Sequence, residues 1–302
     1  MSFDPAILTA PGVRSLQPYQ PGKSIEELER ELGISGIVKL ASNENPRAPS
    51  VSVGRVVTEM LPELSRYADG GSVHLKQALG DQLGVDSGQI TLGNGSNDVL
   101  ELITRALVLP RQGVIVAQHS FAVYTLAANS AGADLRVVPA VRWGHDLKGM
   151  AEVVDCQTRI VFIANPNNPT GSWVSRDSLT DFLDSIPNHV LVVLDEAYFE
   201  YVEEENYPDG IQLLNDFPTL IVTRTFSKIH GLAGLRVGYS VSSSEIAEIL
   251  NRVRQPFNVN ALGYVAALAA LEDMEFVIKS RALNREGMSR ICDDFDRLGL
   301  NW

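Results

Sequence analysis

The sequence predicts an α/β protein: a three-layer α/β/α domain around a mostly parallel, seven-stranded sheet. Short apolar runs recur along the middle of the chain, and helical patterns fill the gaps between them. Several runs are apolar at consecutive positions rather than at alternate ones. Strands of that kind need helices over both faces. The 302 residues, 45% of them hydrophobic, suffice for one large domain or one large and one small.

Residues 1–45 read as an arm, with turns at Pro11-Gly12 and Pro21-Gly22. The arm holds a short helix, SIEELERELG, with Ser24 as its cap and Glu27 at the capping-box spacing. The apolar runs then follow in order: ITL at 90–92, VIVA at 114–117, LRVVP at 135–139, RIVFIA at 159–164 and VLVVLD at 190–195. TLIVT at 219–223 and LRVGYSV at 235–241 complete the seven. Between them DVLELITRALV and AVYTLAANSAG carry helical patterns. After residue 245 the character changes to helix alone: SSEIAEILNRV, NALGYVAALAALED and a long charged stretch over 272–298. No strand follows, and Trp302 comes just after a Leu-Gly-Leu turn. That pattern is equally that of a domain that ends there and of a bridging helix whose C-terminal element is absent.

Charge narrows the function. The formal net charge is -12, from 25 basic and 37 acidic residues, which disfavours a nucleic-acid surface but not a local basic pocket. Cys156 and Cys292 have no metal-site spacing and make no disulfide framework. The N-terminus MSFDPAILTAPG is no signal peptide, and no stretch reaches the roughly 18 apolar residues of a membrane span. A cytoplasmic protein is the expectation.

The richest segment is VTRTFSKIHGLAGLRVGY, residues 222–239. It gathers Lys228, Thr225, Ser227 and Arg236 around glycines 231 and 234. A lysine amine becomes a nucleophile when desolvation or a nearby cation lowers its pKa, and it then forms a Schiff base with an aldehyde. Pyridoxal phosphate is the commonest such aldehyde. It needs an amine, an acid for its pyridine nitrogen, donors for its phosphate and a flat group over its ring. A lone lysine near a turn is ordinarily a surface lysine, so the other segments decide. VLVVLDEAYFEY runs a strand into Asp195, where open α/β sheets place ligands, and Tyr198 follows. Both could instead cap the next element. IANPNNPTGSWV locks Asn168 between Pro166 and Pro169, with Gly171 ending the turn. TLGNGSNDVLELI puts Gly95, Ser96 and Asn97 at a strand-to-helix junction, where free N–H groups favour an anion. Its glycine spacing is neither the dinucleotide fingerprint nor a Walker A loop. Phe121 in QHSFAVY could stack on a ring, although a core aromatic explains it as well, and the same holds for Tyr67 in SRYADG.

Taken together, these segments resemble the fold-type I aminotransferases that use pyridoxal phosphate, and more closely the histidinol-phosphate aminotransferase family. The resemblance rests on KLASNENP at 39–46, RYADG at 66–70, GNGSND at 93–98, SFAVY at 120–124, NPNNPTG at 165–171, LDEAY at 194–198 and TFSKIHGLAGLRVGY at 225–239. It spans nearly the whole chain, in family order.

The resemblance implies roles. Lys228 carries the cofactor and shuttles the proton, and Asp195 pairs with the pyridine nitrogen. Asn168 and Tyr198 hold the phenolic oxygen, and Phe121 stacks on the ring. Gly95, Ser96 or Asn97, then Thr225 or Ser227, and Arg236 bind phosphate. Tyr67 reaches the cofactor of a partner subunit, so a homodimer is implied. Asn43, Glu44 and Asn45 close over substrate. Residues 46–255 would form the cofactor domain, 1–45 an arm, and 256–302 an interdomain helix and the start of a small α+β domain. Two departures stand out. Arg47 and Ala48 replace an aromatic and a glycine that relatives carry. The family's further C-terminal segment, with the arginine that grips a substrate α-carboxylate, lies beyond Trp302. The arginines 281, 285, 290 and 297 of the last helical stretch are not assigned that role.

The implied reaction interconverts L-histidinol phosphate and 2-oxoglutarate with imidazole acetol phosphate and L-glutamate, in histidine synthesis. Three rivals remain: an aromatic amino acid aminotransferase, a phospho-amino-acid decarboxylase of the same fold, and a cofactor-binding product without turnover. No metal, membrane or nucleic-acid partner is expected.

Overall fold

The computed structural model describes residues 8–14, 16–18 and 22–302. The expected turn at Pro11-Gly12 is instead one turn of helix, α1 (Pro11–Arg14), for which proline at the first position is preset. The turn at Pro21 lies outside the described residues. The arm helix is α2 (Ile25–Leu32). Ser24 Oγ accepts from Glu27 N at 3.1 Å, and Gly33 ends the helix at φ 66°.

Next come α3 (Val51–Met60), α4 (Val73–Leu83), β1 (Ile90–Gly93), α5 (Ser96–Leu107), β2 (Gly113–Ala117), α6 (Ala122–Ser130) and β3 (Asp134–Val138). They are followed by α7 (Leu147–Glu152), β4 (Thr158–Ala164), α8 (Arg176–Ser185), β5 (Leu191–Asp195), β6 (Leu220–Thr225) and β7 (Gly238–Val241). Three helices close the chain: α9 (Ser244–Val253), α10 (Ala261–Glu272) and α11 (Met274–Arg297). All seven expected strands form one sheet, ordered β1-β7-β6-β5-β4-β2-β3. The pairs from β3 to β6 are parallel, and β7 runs antiparallel to both β1 and β6.

One expected strand is shorter than its apolar pattern. LRVGYSV begins as a 3₁₀ turn, Ala233–Leu235, and Arg236 sits at φ 55°. There the arginine side chain turns back to Ser227 Oγ (3.3 Å) and Ala233 O (3.2 Å), so extended pairing starts only at Gly238.

Alternation sorts the strand residues into two cores, one on each face. Ile115, Val161, Ile163, Val192, Leu194, Leu220 and Val222 pack with α4, α7, α8 and α10. Val114, Val116, Ile160, Phe162, Val193 and Ile221 pack with α5, α6 and α9. The consecutive apolar runs of the sequence are therefore two interleaved cores. The long terminal helix α11 is capped by Asp273, whose Oδ1 accepts from Phe276 N at 3.0 Å. Among the described residues no helix is long and apolar enough to cross a membrane.

Candidate active site

A cleft of about 570 Å³ opens at the C-terminal ends of β4, β5 and β6. Its walls include Phe121, Asn168, Asp195, Tyr198, Lys228 and Arg236. Ser96, Asn97, Thr225, Ser227, Asn43 and Glu44 complete the group of expected residues that meet there. They come from every motif of the middle of the chain, and the sheet brings them together because its parallel strands end at that edge and β7 begins there.

Asp195 is the last residue of β5 and is 5% exposed. Its Oδ1 accepts from Thr223 Oγ1 at 3.0 Å and its Oδ2 from Tyr124 hydroxyl at 2.6 Å. Burial pushes the Asp195 carboxyl above its usual range, against the pull of these two hydroxyls. Burial and the neighbouring carboxylate push Tyr124 well upward, so its hydroxyl stays a donor. The Tyr124 ring stacks on Phe162 at 4.8 Å and meets Phe121 edge-on at 5.8 Å.

Lys228 follows β6 in a tight loop, closed by Gly231 N–H donating to Lys228 O at 3.0 Å with Gly231 at φ 68°. Its Nζ donates to Ser42 O at 2.9 Å and lies 5.5 Å from the centre of the Tyr198 ring. Burial lowers the amine's pKa, Glu44 opposes that, and Arg236 adds to it. The Tyr198 hydroxyl accepts from Asn43 Nδ2 at 3.0 Å, and burial raises its pKa. Asn168 reaches the cleft from a turn in which Gly171 N–H donates to Asn167 O at 2.8 Å.

The anion end is built at the start of α5. Gly95 precedes the helix at φ 84° with no side-chain cap, leaving the first-turn N–H groups to another acceptor. A Cβ on Gly95 would stand 2.2 Å from Arg236 Nη2, and one on Gly238 would stand 2.2 Å from Ser96 N. Glycine at both positions lets the guanidinium and the helix end share one cradle. Among the described residues no carboxylate pairs with Arg236. Thr225 Oγ1 accepts from Ser227 N at 3.1 Å, which fixes the second hydroxyl-bearing wall.

These features fit the pyridoxal phosphate that the motifs imply. The uncapped helix end beside an unpaired arginine suits a phosphate. A buried carboxylate held by neutral donors suits a protonated ring nitrogen. An amine of lowered pKa suits the aldehyde. No group of His, Cys, Asp and Glu among the described residues is arranged to hold a metal ion.

Two expected residues stand elsewhere. Asn45 Nδ2 donates to Ile229 O at 2.9 Å and to Ser280 Oγ at 3.0 Å, so it ties the lysine loop to α11 and does not line the cleft. Tyr67 is 83% exposed and stacks on Phe257 at 4.6 Å, outside the cleft of its own chain. Two residues the motifs did not single out, Tyr124 and Thr223, make the contacts to Asp195. The three-residue step from Phe121 to Tyr124 on one face of α6 was the available signal for the first.

Residues 35–302 match the family described as aminotransferase class I and II. The chain is 52% identical over 304 residues to histidinol-phosphate aminotransferase 2 of Pseudomonas fluorescens, covering 100% of this chain and 82% of that protein. It is 52% identical over 295 residues to histidinol-phosphate aminotransferase 1 of Nitrosococcus oceani, covering 98% and 80%. In structure it resembles the histidinol-phosphate aminotransferase of Sinorhizobium meliloti solved in complex with pyridoxal 5'-phosphate. That match has a TM-score of 0.86 and 32% identity, over 95% of this chain and 77% of that one. The chain therefore belongs to the class I and II aminotransferases and, within them, to the histidinol-phosphate aminotransferase family.

Proposed function

We propose that this chain is a pyridoxal-phosphate-dependent aminotransferase of histidine biosynthesis. It interconverts L-histidinol phosphate and 2-oxoglutarate with imidazole acetol phosphate and L-glutamate. The observation that carries this reading is one cleft that joins a lysine amine of lowered pKa, a buried carboxylate without an ion-pair partner, and an uncapped helix end beside Arg236. Relatives named for this activity at 52% identity support the substrate.

When bound, the cofactor supplies an aldehyde for the amine and a protonated ring that accepts the electron pair left by the departing α-proton. Lys228 Nζ takes that proton and returns it, and burial, with Arg236 beside it, lowers the amine's pKa and so favours that role. Asp195 holds the proton on the ring nitrogen. Tyr198 hydroxyl and Asn168 would hold the ring's phenolic oxygen, and Phe121 would cover the ring. Phosphate is bound at Gly95, Ser96 and Asn97 with Thr225, Ser227 and Arg236. Asn43 and Glu44 stand at the substrate side, with Asn45 anchoring their segment. Tyr67, exposed on its own chain, serves the cleft of a second copy, which makes the working form a homodimer. Residues 46–255 form the cofactor domain, 1–45 the arm, and 256–302 the start of the smaller domain. The chemistry and the acidic composition fit a cytoplasmic enzyme.

The test is an absorption spectrum with added pyridoxal phosphate, then with L-histidinol phosphate. The lysine-bound band near the visible edge should form, give way to the amino form on adding substrate, and be missing in Lys228→Ala. A response to phenylalanine alone would make it an aromatic aminotransferase, and release of carbon dioxide a decarboxylase. A Lys228→Ala protein that kept the band and the turnover would end the assignment. Light scattering on the same sample would remove the shared site if it gave the 32.9 kDa of one chain.

A further inference from the structure

The face of the sheet behind the cleft holds a charged group that the reaction as written does not use. Arg224 lies in β6 between Thr223 and Thr225, and alternation turns it away from the cleft. Its side chain is only 4% exposed. Nε and Nη2 donate to Glu196 Oε2 at 2.9 and 2.7 Å, and Nη2 also donates to Asp209 Oδ1 at 2.7 Å. Glu196 Oε1 accepts from Gly210 N–H at 2.8 Å. The guanidinium carbon lies over the Phe199 ring, 3.6 Å from its centre.

Two of the three groups that Arg224 grips, Glu196 and the Phe199 ring, flank one short piece of chain. Glu196 follows Asp195, and Phe199 follows Tyr198. Phe199 N–H donates to Glu196 O, and Tyr201 N–H to Tyr198 O, both at 3.1 Å. The backbone that carries Tyr198 is thus a turn pinned at both ends by one side chain. From the other side α11 holds the same turn, through Arg281 Nε donating to Glu200 O at 2.5 Å.

We infer that Arg224 is a positioning residue for the reaction at Lys228: by gripping Glu196, Asp209 and the Phe199 ring together, it sets where the Tyr198 hydroxyl stands. The inference rests on the function proposed above. Arginine is required because a planar fork can bond two carboxylates and stack on a ring at once, and an ammonium cannot. Lysine at this position keeps the charge and loses the geometry.

The experiment is a double-mutant cycle on the cofactor-loaded enzyme with Arg224→Lys and Tyr198→Phe. A group that acts through the Tyr198 hydroxyl matters little once that hydroxyl is gone. Arg224→Lys should lower kcat about tenfold with KM changed less than about twofold, as for a misplaced group that binding does not need. In the Tyr198→Phe background the same change should cost less than about twofold. The second readout is the pH titration of the lysine-bound absorption band, which should move upward in Arg224→Lys as the phenolic oxygen loses its donor, and stay put in the Tyr198→Phe background. Equal losses in both backgrounds, or none in either, would overturn the inference and leave Arg224 a structural ion pair. If Arg224→Lys does not fold, Phe199→Leu removes only the ring beneath the guanidinium and is judged by the same cycle. Wild-type protein with no band or no turnover would instead refute the function itself, so the two failures are separable.

Discussion

Two buried acids stand side by side at the end of β5, and the sheet turns them to opposite faces. Asp195 shares its face with Thr223 and Tyr124, and both its oxygens accept from neutral hydroxyls. Glu196 shares the other face with Arg224, and its charge is already answered by a guanidinium. Both are almost fully buried, yet only one faces an open cleft. The difference teaches how to separate a functional acid from a structural one. A buried carboxylate paired with arginine is closed. One held only by neutral donors keeps an unanswered charge, which an incoming cation can meet.

Removing each charge should therefore cost different things. Asp195→Asn should lower transamination by about 10³-fold, because the ring nitrogen loses its counter-charge. It should change stability by less than about 1 kcal/mol, because a neutral amide replaces an unpaired buried charge. Glu196→Gln should do the reverse. It leaves Arg224 short of a partner in the interior and should cost about 3 kcal/mol of stability, with turnover falling by about tenfold at most. Half-reaction rates and urea denaturation, measured on both proteins, check the contrast. Matching profiles would dissolve the distinction between the faces.

A third buried group, His230, has neither an ion nor a ligand. Its Nδ1 has no hydrogen-bond partner among the described residues, and it lies in the lysine loop with its ring 4.9 Å from that of Phe226. Burial lowers its pKa from 6.5 to about 4. The unfolded chain then binds the proton more readily between those values, so stability is complete above pH 6.5 and is lost as the pH falls toward 4. The loss should approach about 3 kcal/mol at the acid end. His230→Gln should flatten that slope in urea denaturation run across the window. An unchanged slope would mean that the imidazole takes up its proton without leaving its site.

How much of this was legible depended on whether a signal was local. The central strands β2, β4 and β5 are apolar on consecutive residues, because they are covered on both faces, and a short window shows that. Lys228, Asp195 and Asn168 stand inside contiguous motifs, and the parallel edge gathers them. The start of β7 was misread because Arg236 departs from extended geometry beside the start of α5, a long-range demand that its apolar neighbours do not reveal. Thr223 required the cross-strand register that sets it opposite Asp195. Arg224 stands in no motif that names it, and only alternation along β6 together with the fold places it beside Glu196. Asn45 sits in a motif that resembles a substrate arm, yet its amide is taken by Ile229 O and Ser280 Oγ, over two hundred residues away in the second case.

The smallest expected effect tests how the cleft-facing acid is kept. Tyr124→Phe preserves the ring stacked on Phe162 and removes only the hydroxyl 2.6 Å from Asp195. A hydrogen bond to a charged group contributes about 1.5–3 kcal/mol, so stability at neutral pH should fall by about 2 kcal/mol. The pH dependence identifies the cause. Burial already holds the Asp195 pKa above 3.8, so the folded state binds the proton more readily and stability falls as pH rises through that interval. Losing the Tyr124 donor pushes the folded pKa higher still and extends the interval. The penalty of Tyr124→Phe should then be greatest where Asp195 is ionised and shrink as the pH is lowered and the carboxyl takes its proton. Urea denaturation of the cofactor-free protein from acid to neutral pH measures this. A penalty of the same size at every pH would assign the loss to packing in the ring stack, and would leave Thr223 as the hydroxyl that holds the acid.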